Sequence, residues 1–129
     1  SGYQTIQLGD LSPTRDFNYV KDTVSGFIEI GKSEKTVGEE INIATQCEIS
    51  IQELASLLIN KINPNVEIVC DAQRRRPKNS EVNRLLGCNT KIRELTDWKP
   101  RYTLEQGLKE TISFYEKNLN KYKADIYNL

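Results

Sequence analysis

Apolar residues recur at the spacing of an amphipathic helix in four stretches of the chain. The predicted helices cover residues 20–31, about 51–63, about 89–98, and a long final segment that begins at 104. The first is expected to end at Gly31, because glycine is common where a helix terminates in a left-handed conformation. Pro64 and Pro100 lie just beyond the second and third helices, where proline stops further helical growth.

Two of these helices are preceded by a sequence pattern that satisfies free backbone groups at a helix start. Ser50 and Glu53 form such a capping box before the second helix, and Thr103 and Gln106 form another before the last one. In each pair the side-chain oxygen of the first residue accepts a hydrogen bond from the backbone N–H of the second. The side chain of the second residue accepts one from the backbone N–H of the first. We therefore expect well-defined starts for both helices.

Three short apolar stretches read as strands and alternate with the helices. They cover residues 3–8, 41–44 and 66–70, and the middle one contains a single polar residue, Asn42. Three short strands are too few for a doubly wound sheet, so the pattern predicts a small α/β lobe that packs against another structure. A polar segment from Asp71 to Asn83 is expected to be a functional loop.

Charge and composition exclude several classes of function. Among its 129 residues the chain has 18 basic and 18 acidic ones, so no net field attracts nucleic acid or an anionic membrane. There is no histidine, which excludes a Ser-His-Asp triad, a Cys-His pair and a His-ligated metal site within this chain. No glycine-rich phosphate loop and no apolar stretch of about 18 residues are present.

The three cysteines are widely spaced and match no metal-binding pattern. They are Cys47, Cys70 and Cys88, and we expect them to be ordinary buried thiols of a reduced, cytoplasmic protein.

The segment 8–22 contains the strongest candidate for chemistry. Arg15 follows a Ser-Pro turn and precedes the first helix. Its planar, permanently charged guanidinium matches the geometry of phosphate oxygens, so it could clamp a phosphate group. The alternative is an exposed ion pair between Arg15 and Asp16, a contact worth about 0–1 kcal/mol.

Four motifs occur in a characteristic order. They are Leu8–Leu11 followed by Arg15–Asp22; Asn42-Ile43; Arg75–Pro77; and Trp98–Leu108. With these motifs the chain resembles the C-terminal substrate-binding lobe of extended short-chain dehydrogenase/reductases (SDRs), the NAD-dependent nucleotide-sugar epimerases and dehydratases. The resemblance implies the small α/β lobe of that Rossmann-type fold, with few short strands and about four helices.

The resemblance also implies roles for individual residues. Arg15 and Arg76 match the two arginines that hold the nucleotide diphosphate. Leu8 falls where a side chain packs on the nucleobase, Asn42 matches the strand asparagine that binds the nucleotide, and Asn79 lies where a polar side chain reaches the ribose. Two charge-assisted donors from separate loops suit a diphosphate with about two negative charges.

Other interpretations of the same residues are open. Leu8 could belong to the core, and Asn42 could be a buried amide with satisfied hydrogen bonds. Glu81 and Arg84 could pair with each other at helical spacing, and no chemistry is assigned to them.

The family's dinucleotide-binding GxxGxxG and catalytic Tyr-xxx-Lys are missing from the chain. The resemblance therefore implies that residues 1–129 form one nucleotide-sugar-binding lobe with a flexible tail at about 120–129. NAD(P) would be bound by an N-terminal domain of a longer parent protein. The lobe itself would hold no catalytic residue, cofactor or metal, and it would expose an apolar face built to pack on that domain.

Among family members, the Leu-Gly-Asp-Leu and Pro-Thr-Arg-Asp-Phe elements are most similar to 4,6-dehydratases, including bacterial amino-sugar and GDP-mannose dehydratases. The implied substrate is a GDP-, UDP- or dTDP-linked sugar, used by a cytoplasmic, homodimeric parent in cell-surface polysaccharide synthesis. A nucleotide-sugar 4-epimerase and a UDP-glucuronate decarboxylase are alternatives within the family. A stand-alone binding or interaction module is an alternative of another class.

Overall fold

The computed structural model describes residues 5–77 and 79–122, which form a small α/β unit. The strands are β1 (Thr5–Leu8), β2 (Thr14–Arg15), β3 (Ile49–Ser50), β4 (Glu67–Cys70) and β5 (Arg84–Leu85). The α-helices are α1 (Val20–Lys32), α2 (Ile51–Ile62), α3 (Thr90–Leu95) and α4 (Leu104–Asn118). The predicted fold, with few short strands and four helices, is confirmed.

Both predicted capping boxes are formed. The backbone N–H of Glu53 donates to Ser50 Oγ at 3.1 Å, and the Ser50 N–H donates to Glu53 Oε2 at 3.0 Å. At the start of α4 the corresponding distances are 3.2 Å between Gln106 N and Thr103 Oγ1, and 2.9 Å between Thr103 N and Gln106 Oε1. Local sequence thus determines where both helices begin.

The strands form two small sheets. β1 and β4 are parallel, and Leu8 at the end of β1 is opposite Cys70 at the end of β4. The second sheet has the order β3-β2-β5, in which β2 is antiparallel to β3 and parallel to β5. The polar segment 71–83 runs from the end of β4 to the start of β5 and so connects the two sheets.

The strand predicted over residues 41–44 is wrong, because this segment has no regular secondary structure. Two of its carbonyl groups bond to side chains instead of to a neighbouring strand. Asn18 Nδ2 donates to Ile43 O at 3.0 Å, and Asn89 Nδ2 donates to Ala44 O at 2.9 Å. The apolar pattern correctly marked a segment that is partly buried, but a strand also needs a backbone partner.

Two predicted helix ends are also wrong. α1 passes through Gly31 and ends after Lys32, where Ser33 adopts an extended conformation rather than a left-handed one. α3 ends at Leu95 instead of Trp98. The Thr96 hydroxyl donates to Ile92 O at 2.6 Å and accepts from Trp98 N at 3.1 Å, which turns the chain out of the helix. Residues 3–4 of the first predicted strand and 123–129 of the predicted tail lie outside the described residues.

The buried apolar core of the described residues is small. It consists of four side chains, Ala44, Ala55, Ile92 and Trp98. The apolar face of α1 is exposed instead, as expected for this lobe, with Phe27 68% and Val20 62% accessible to solvent. No helix within the described ranges combines the length and apolar character needed to cross a membrane.

A buried carboxylate joins the start of α1 to the turn before α4. Asp22 is 2% exposed, and its two oxygens accept from the backbone N–H groups of Arg101 and Tyr102 at 3.0 and 3.1 Å. The carbonyl oxygen of Asp22 also accepts from Trp98 Nε1 at 3.0 Å. One residue in the first turn of α1 therefore fixes the whole segment 98–102.

We expect the Asp22→Ala variant to lose about 2–4 kcal/mol of unfolding free energy, because two backbone amides lose a charged acceptor. Urea unfolding measures the change. Asp97→Ala, at an exposed position, is the matched control and is expected to stay within about 0.5 kcal/mol of the unaltered chain. Equal stability of the two variants would contradict the role given to Asp22.

Candidate functional site

Arg15 lies in β2, the central strand of the three-stranded sheet, and its guanidinium is held at two nitrogens. Nη2 donates to Glu81 Oε1 at 2.9 Å and Nη1 donates to the carbonyl oxygen of Thr14 at 2.8 Å. The side chains of Arg15 and Glu81 are only 21% and 17% exposed. Arg15 is therefore a partly buried, oriented cation.

The alternative of an Arg15–Asp16 ion pair is wrong, because Asp16 has other partners. Its carboxylate accepts from the backbone N–H and the hydroxyl of Thr45, and from Gln46 N at 2.9 Å. Gln46 has a φ of +61°, a left-handed conformation that is unfavourable for a residue with a side chain. Its side chain accepts from Asn89 N at 2.7 Å, so polar contacts on both sides stabilise this turn.

Leu8 and the start of the polar segment 71–83 lie next to each other. Leu8 is partly buried at the end of β1, and its carbonyl oxygen accepts from Asp71 N at 2.7 Å. At Gly9 the chain approaches closely enough that a Cβ would lie 2.5 Å from the carbonyl oxygen of Arg74, which requires glycine here. The structure thus places Leu8 at one end of this segment, while Glu81 brings its other end to Arg15.

Arg76 and Asn79 are both exposed and lie on the segment between these two points. Their neighbours are engaged differently: Arg74 pairs with Asp71 at 3.3 Å, and Arg75 donates to Cys70 Sγ at 3.1 Å. Within residues 5–77 and 79–122, Arg76 has no ion-pair partner. Its guanidinium is therefore accessible to an external anion.

Asn42 is exposed, so the interpretation of this residue as a buried amide is wrong. It precedes Thr45 by three residues, and Thr45 is bound to Asp16, the residue after Arg15. Asn42 thus belongs to a segment anchored beside β2, but it does not lie on a strand.

Glu81 and Arg84 do not pair with each other. Arg84 Nε donates to Glu48 Oε2 at 2.7 Å, and the Thr14 hydroxyl donates to the same oxygen at 2.9 Å. The hydrogen bond from Arg84, and to a smaller extent the one from Thr14, holds the pKa of the Glu48 carboxyl below its usual range. Two ion pairs therefore hold this part of the chain: Glu81 binds Arg15 in the central strand β2, and Arg84 binds Glu48 just before β3.

This lowered pKa predicts a loss of stability in acid. The contribution of Glu48 is fully present above the pKa of the unfolded chain, near 4.3 for a glutamate, and disappears as the pH falls through the lower folded pKa. We expect Glu48→Gln to weaken the decrease in unfolding free energy between about pH 5 and pH 3.

Urea unfolding at several pH values measures this effect. Glu116→Gln, at an exposed position on α4, is the control and should keep the pH dependence of the unaltered chain. Identical pH profiles for Glu48→Gln and the unaltered chain would show that the carboxylate does not act in this way.

The expectation of buried thiols is wrong, because Cys47, Cys70 and Cys88 are all exposed and free. Hydrogen bonds from Thr90 lower the pKa of the Cys88 thiol. Among the described residues there is no group of three or more side chains suited to bind a metal ion.

Three clefts of about 580 to 900 Å³ are present in the described structure, next to α1, α2 and α4. None of the three is lined by the five residues that the sequence predicts to bind substrate, which are Leu8, Arg15, Asn42, Arg76 and Asn79. Arg15 lies in β2, Leu8 ends β1 next to the start of the segment 71–83, and Arg76 and Asn79 lie on that segment. Asn42 lies three residues before Thr45.

Comparison with known proteins identifies the family of this chain. Residues 1–111 match the model of the family described as GDP-mannose 4,6 dehydratase. A GDP-6-deoxy-D-mannose reductase from Pseudomonas aeruginosa is 30% identical over 116 residues, which are 90% of this chain and 37% of that enzyme. A human dTDP-D-glucose 4,6-dehydratase is 34% identical over 115 residues, which are 85% of this chain and 32% of the enzyme.

Solved structures give the same result. An epimerase, Mth375, from Methanothermobacter thermautotrophicus superposes with a TM-score of 0.80 at 30% identity, covering 92% of this chain and 34% of that one. A dTDP-glucose 4,6-dehydratase from Bacillus anthracis, in complex with NAD, gives a TM-score of 0.73 at 30% identity, with coverages of 92% and 37%. Other relatives include a UDP-glucuronic acid decarboxylase from Xenopus tropicalis, 32% identical over 124 residues, which are 92% of this chain and 27% of that enzyme.

The chain spans about a third of the length of the curated relatives it matches. The family model, the sequence relatives and the solved structures agree on one family. The chain therefore belongs to the GDP-mannose 4,6 dehydratase family, within the NAD-dependent nucleotide-sugar epimerases and dehydratases of the extended SDR type.

Proposed function

We propose that this chain binds the nucleotide-diphosphate part of a sugar nucleotide for an NAD-dependent nucleotide-sugar 4,6-dehydratase. The observation that carries the proposal is the oriented, partly buried guanidinium of Arg15 beside the loop that presents Arg76. A partly buried cation attracts phosphate more strongly than an exposed one, since less water screens the charge.

The Arg15 guanidinium retains enough donors for a phosphate ligand. It has five N–H groups, of which Glu81 and Thr14 each accept one hydrogen bond. The remaining donors can bind a diphosphate while the existing contacts hold the side chain in place. Arg76, on the polar segment 71–83, would approach the same ligand, so two cations can act on one diphosphate.

The other three predicted residues have roles that suit the rest of a nucleotide. Leu8 offers an apolar contact for a base, and Asn79 and Asn42 offer amide groups for hydroxyl and base atoms. We propose that GDP-, UDP- and dTDP-linked sugars are the candidate substrates. An apolar contact such as Leu8 does not distinguish among these bases by hydrogen bonding.

We further propose that an N-terminal domain of a longer parent protein binds NAD(P) and supplies the catalytic tyrosine and lysine. This parent would be a cytoplasmic homodimer that acts in cell-surface polysaccharide synthesis. The cofactor would accept and return the hydride. This chain would fix the nucleotide end of the substrate and thereby orient the sugar. The lobe alone would be inactive. The exposed apolar face of α1 supports a lobe that packs on another domain, rather than a stand-alone binding module.

A 4-epimerase or a UDP-glucuronate decarboxylase is the second candidate for the parent, because relatives named UDP-glucose 4-epimerase and UDP-glucuronic acid decarboxylase match this chain. The reaction products of the parent separate the three activities. A 4-keto-6-deoxy sugar identifies the dehydratase, a C4-inverted sugar the epimerase, and released carbon dioxide the decarboxylase.

We expect Arg15→Ala and Arg76→Ala each to weaken binding of one nucleoside diphosphate by about tenfold or more, because a charge-assisted contact to a phosphate is lost. NMR titration of the 129-residue chain with GDP, UDP, dTDP and CDP measures the affinities and identifies the preferred base.

Arg93→Ala is the matched control, because Arg93 is exposed on α3 and lies outside the proposed site. It is expected to leave the affinity unchanged. If Arg15→Ala and Arg76→Ala also leave it unchanged, or if none of the four nucleotides binds, the proposed function of this chain is wrong.

A further inference from the structure

We propose that Glu81 is a positioning residue for Arg15. Its carboxylate holds the guanidinium in the orientation that a diphosphate requires, and it ties the segment that presents Arg76 and Asn79 to β2. This inference rests on the proposed function, because it assigns Glu81 a role through Arg15 and not through direct contact with the ligand.

The Glu81–Arg15 contact is a short, partly buried ion pair between distant parts of the chain. Glu81 and Arg15 are 66 positions apart in the chain, yet Nη2 and Oε1 are separated by 2.9 Å. Both side chains are about four-fifths buried. With the second bond, from Nη1 to the Thr14 carbonyl, two points fix the plane of the guanidinium.

Fixing this side chain in advance favours ligand binding. An arginine side chain loses much rotational freedom when it is immobilised on binding, and this loss opposes binding. The contact with Glu81 incurs that loss during folding. A diphosphate then meets a side chain that is already oriented.

The Glu81–Arg15 contact could also oppose diphosphate binding, and the two possibilities predict opposite changes in affinity. A carboxylate next to an anion site repels the ligand and competes for the same cation. If Glu81 acted mainly as a competitor, its removal would tighten diphosphate binding. If it positions Arg15, its removal weakens binding, because the guanidinium becomes mobile.

The sheet offers a matched control for a purely structural effect. The Glu48–Arg84 pair joins β5, which follows the segment 71–83, to the residue before β3 at 2.7 Å, and it does not contact Arg15. Loss of this pair removes an interaction across the sheet of similar kind. The Glu48–Arg84 pair is more exposed than the Glu81–Arg15 pair. A structural role alone therefore predicts that each variant loses affinity in proportion to its loss of unfolding free energy, which urea unfolding measures.

The first experiment needs no ligand. NMR relaxation of the Arg15 side-chain ¹⁵Nε reports on its motion in the 129-residue chain. We expect an ordered signal in the unaltered chain and in Glu48→Ala, and a mobile one in Glu81→Ala. Glu81→Gln retains an acceptor and should preserve most of the order. An ordered Arg15 in Glu81→Ala would overturn the inference whether or not a nucleotide binds.

The second experiment measures affinity for the preferred nucleoside diphosphate and for its nucleoside. We expect Glu81→Ala to weaken binding of the diphosphate about threefold to tenfold and Glu81→Gln to weaken it less. Binding of the nucleoside, which Arg15 does not contact, should weaken less than binding of the diphosphate in each variant. In an Arg15→Ala background, Glu81→Ala should have no further effect, because the residue it positions is gone.

The outcomes separate this inference from the proposed function. Weaker binding in Arg15→Ala with unchanged or tighter binding in Glu81→Ala would overturn the role of Glu81 and leave the diphosphate site standing. Unchanged binding in Arg15→Ala would overturn the site itself. If the losses of affinity in Glu81→Ala and Glu48→Ala merely follow their losses of unfolding free energy, Glu81 acts only through the stability of the sheet.

Discussion

The two-residue strand β2 is the element on which the candidate site depends. It forms hydrogen bonds on both sides, with Thr14 N donating to Asn83 O at 2.9 Å and Asp16 N donating to Leu85 O at 3.1 Å on the β5 side. β3 pairs with its other edge. Because β2 is so short, its few backbone hydrogen bonds are supplemented by side-chain contacts. The ion pairs Arg15–Glu81 and Arg84–Glu48 help to hold the segments on either side of β2 in place.

The rest of the fold supports this strand with few apolar contacts. The buried carboxylate of Asp22 fixes the segment before α4, and Asp16 fixes the turn at Thr45 and Gln46. Buried or half-buried polar contacts of this kind specify one arrangement where a small hydrophobic core would permit several. The exposed apolar face of α1 belongs to the same picture, because a lobe that packs on another domain does not need to bury all its apolar surface by itself.

Sequence alone predicted what depends on local interactions. Both capping boxes formed as expected, because Ser50 with Glu53 and Thr103 with Gln106 are three residues apart. The partner of Arg15 could not be found in this way, since Glu81 is 66 positions distant and no helical or strand spacing relates the two.

The apolar pattern at 41–44 correctly indicated partial burial. It could not show that no neighbouring strand pairs with this segment, so the predicted strand is wrong. The helix-like spacing of Glu81 and Arg84 was misleading, because Arg84 lies in β5 and not in a helix. Glu81 binds Arg15 and Arg84 binds Glu48.

The most direct test of the account is ³¹P NMR of a bound nucleoside diphosphate. The central claim is that Arg15, oriented in β2, holds the phosphates. It predicts that both phosphorus resonances shift as the chain is added, in step with the base protons. Base and ribose protons that respond while both phosphorus resonances stay unchanged would contradict it.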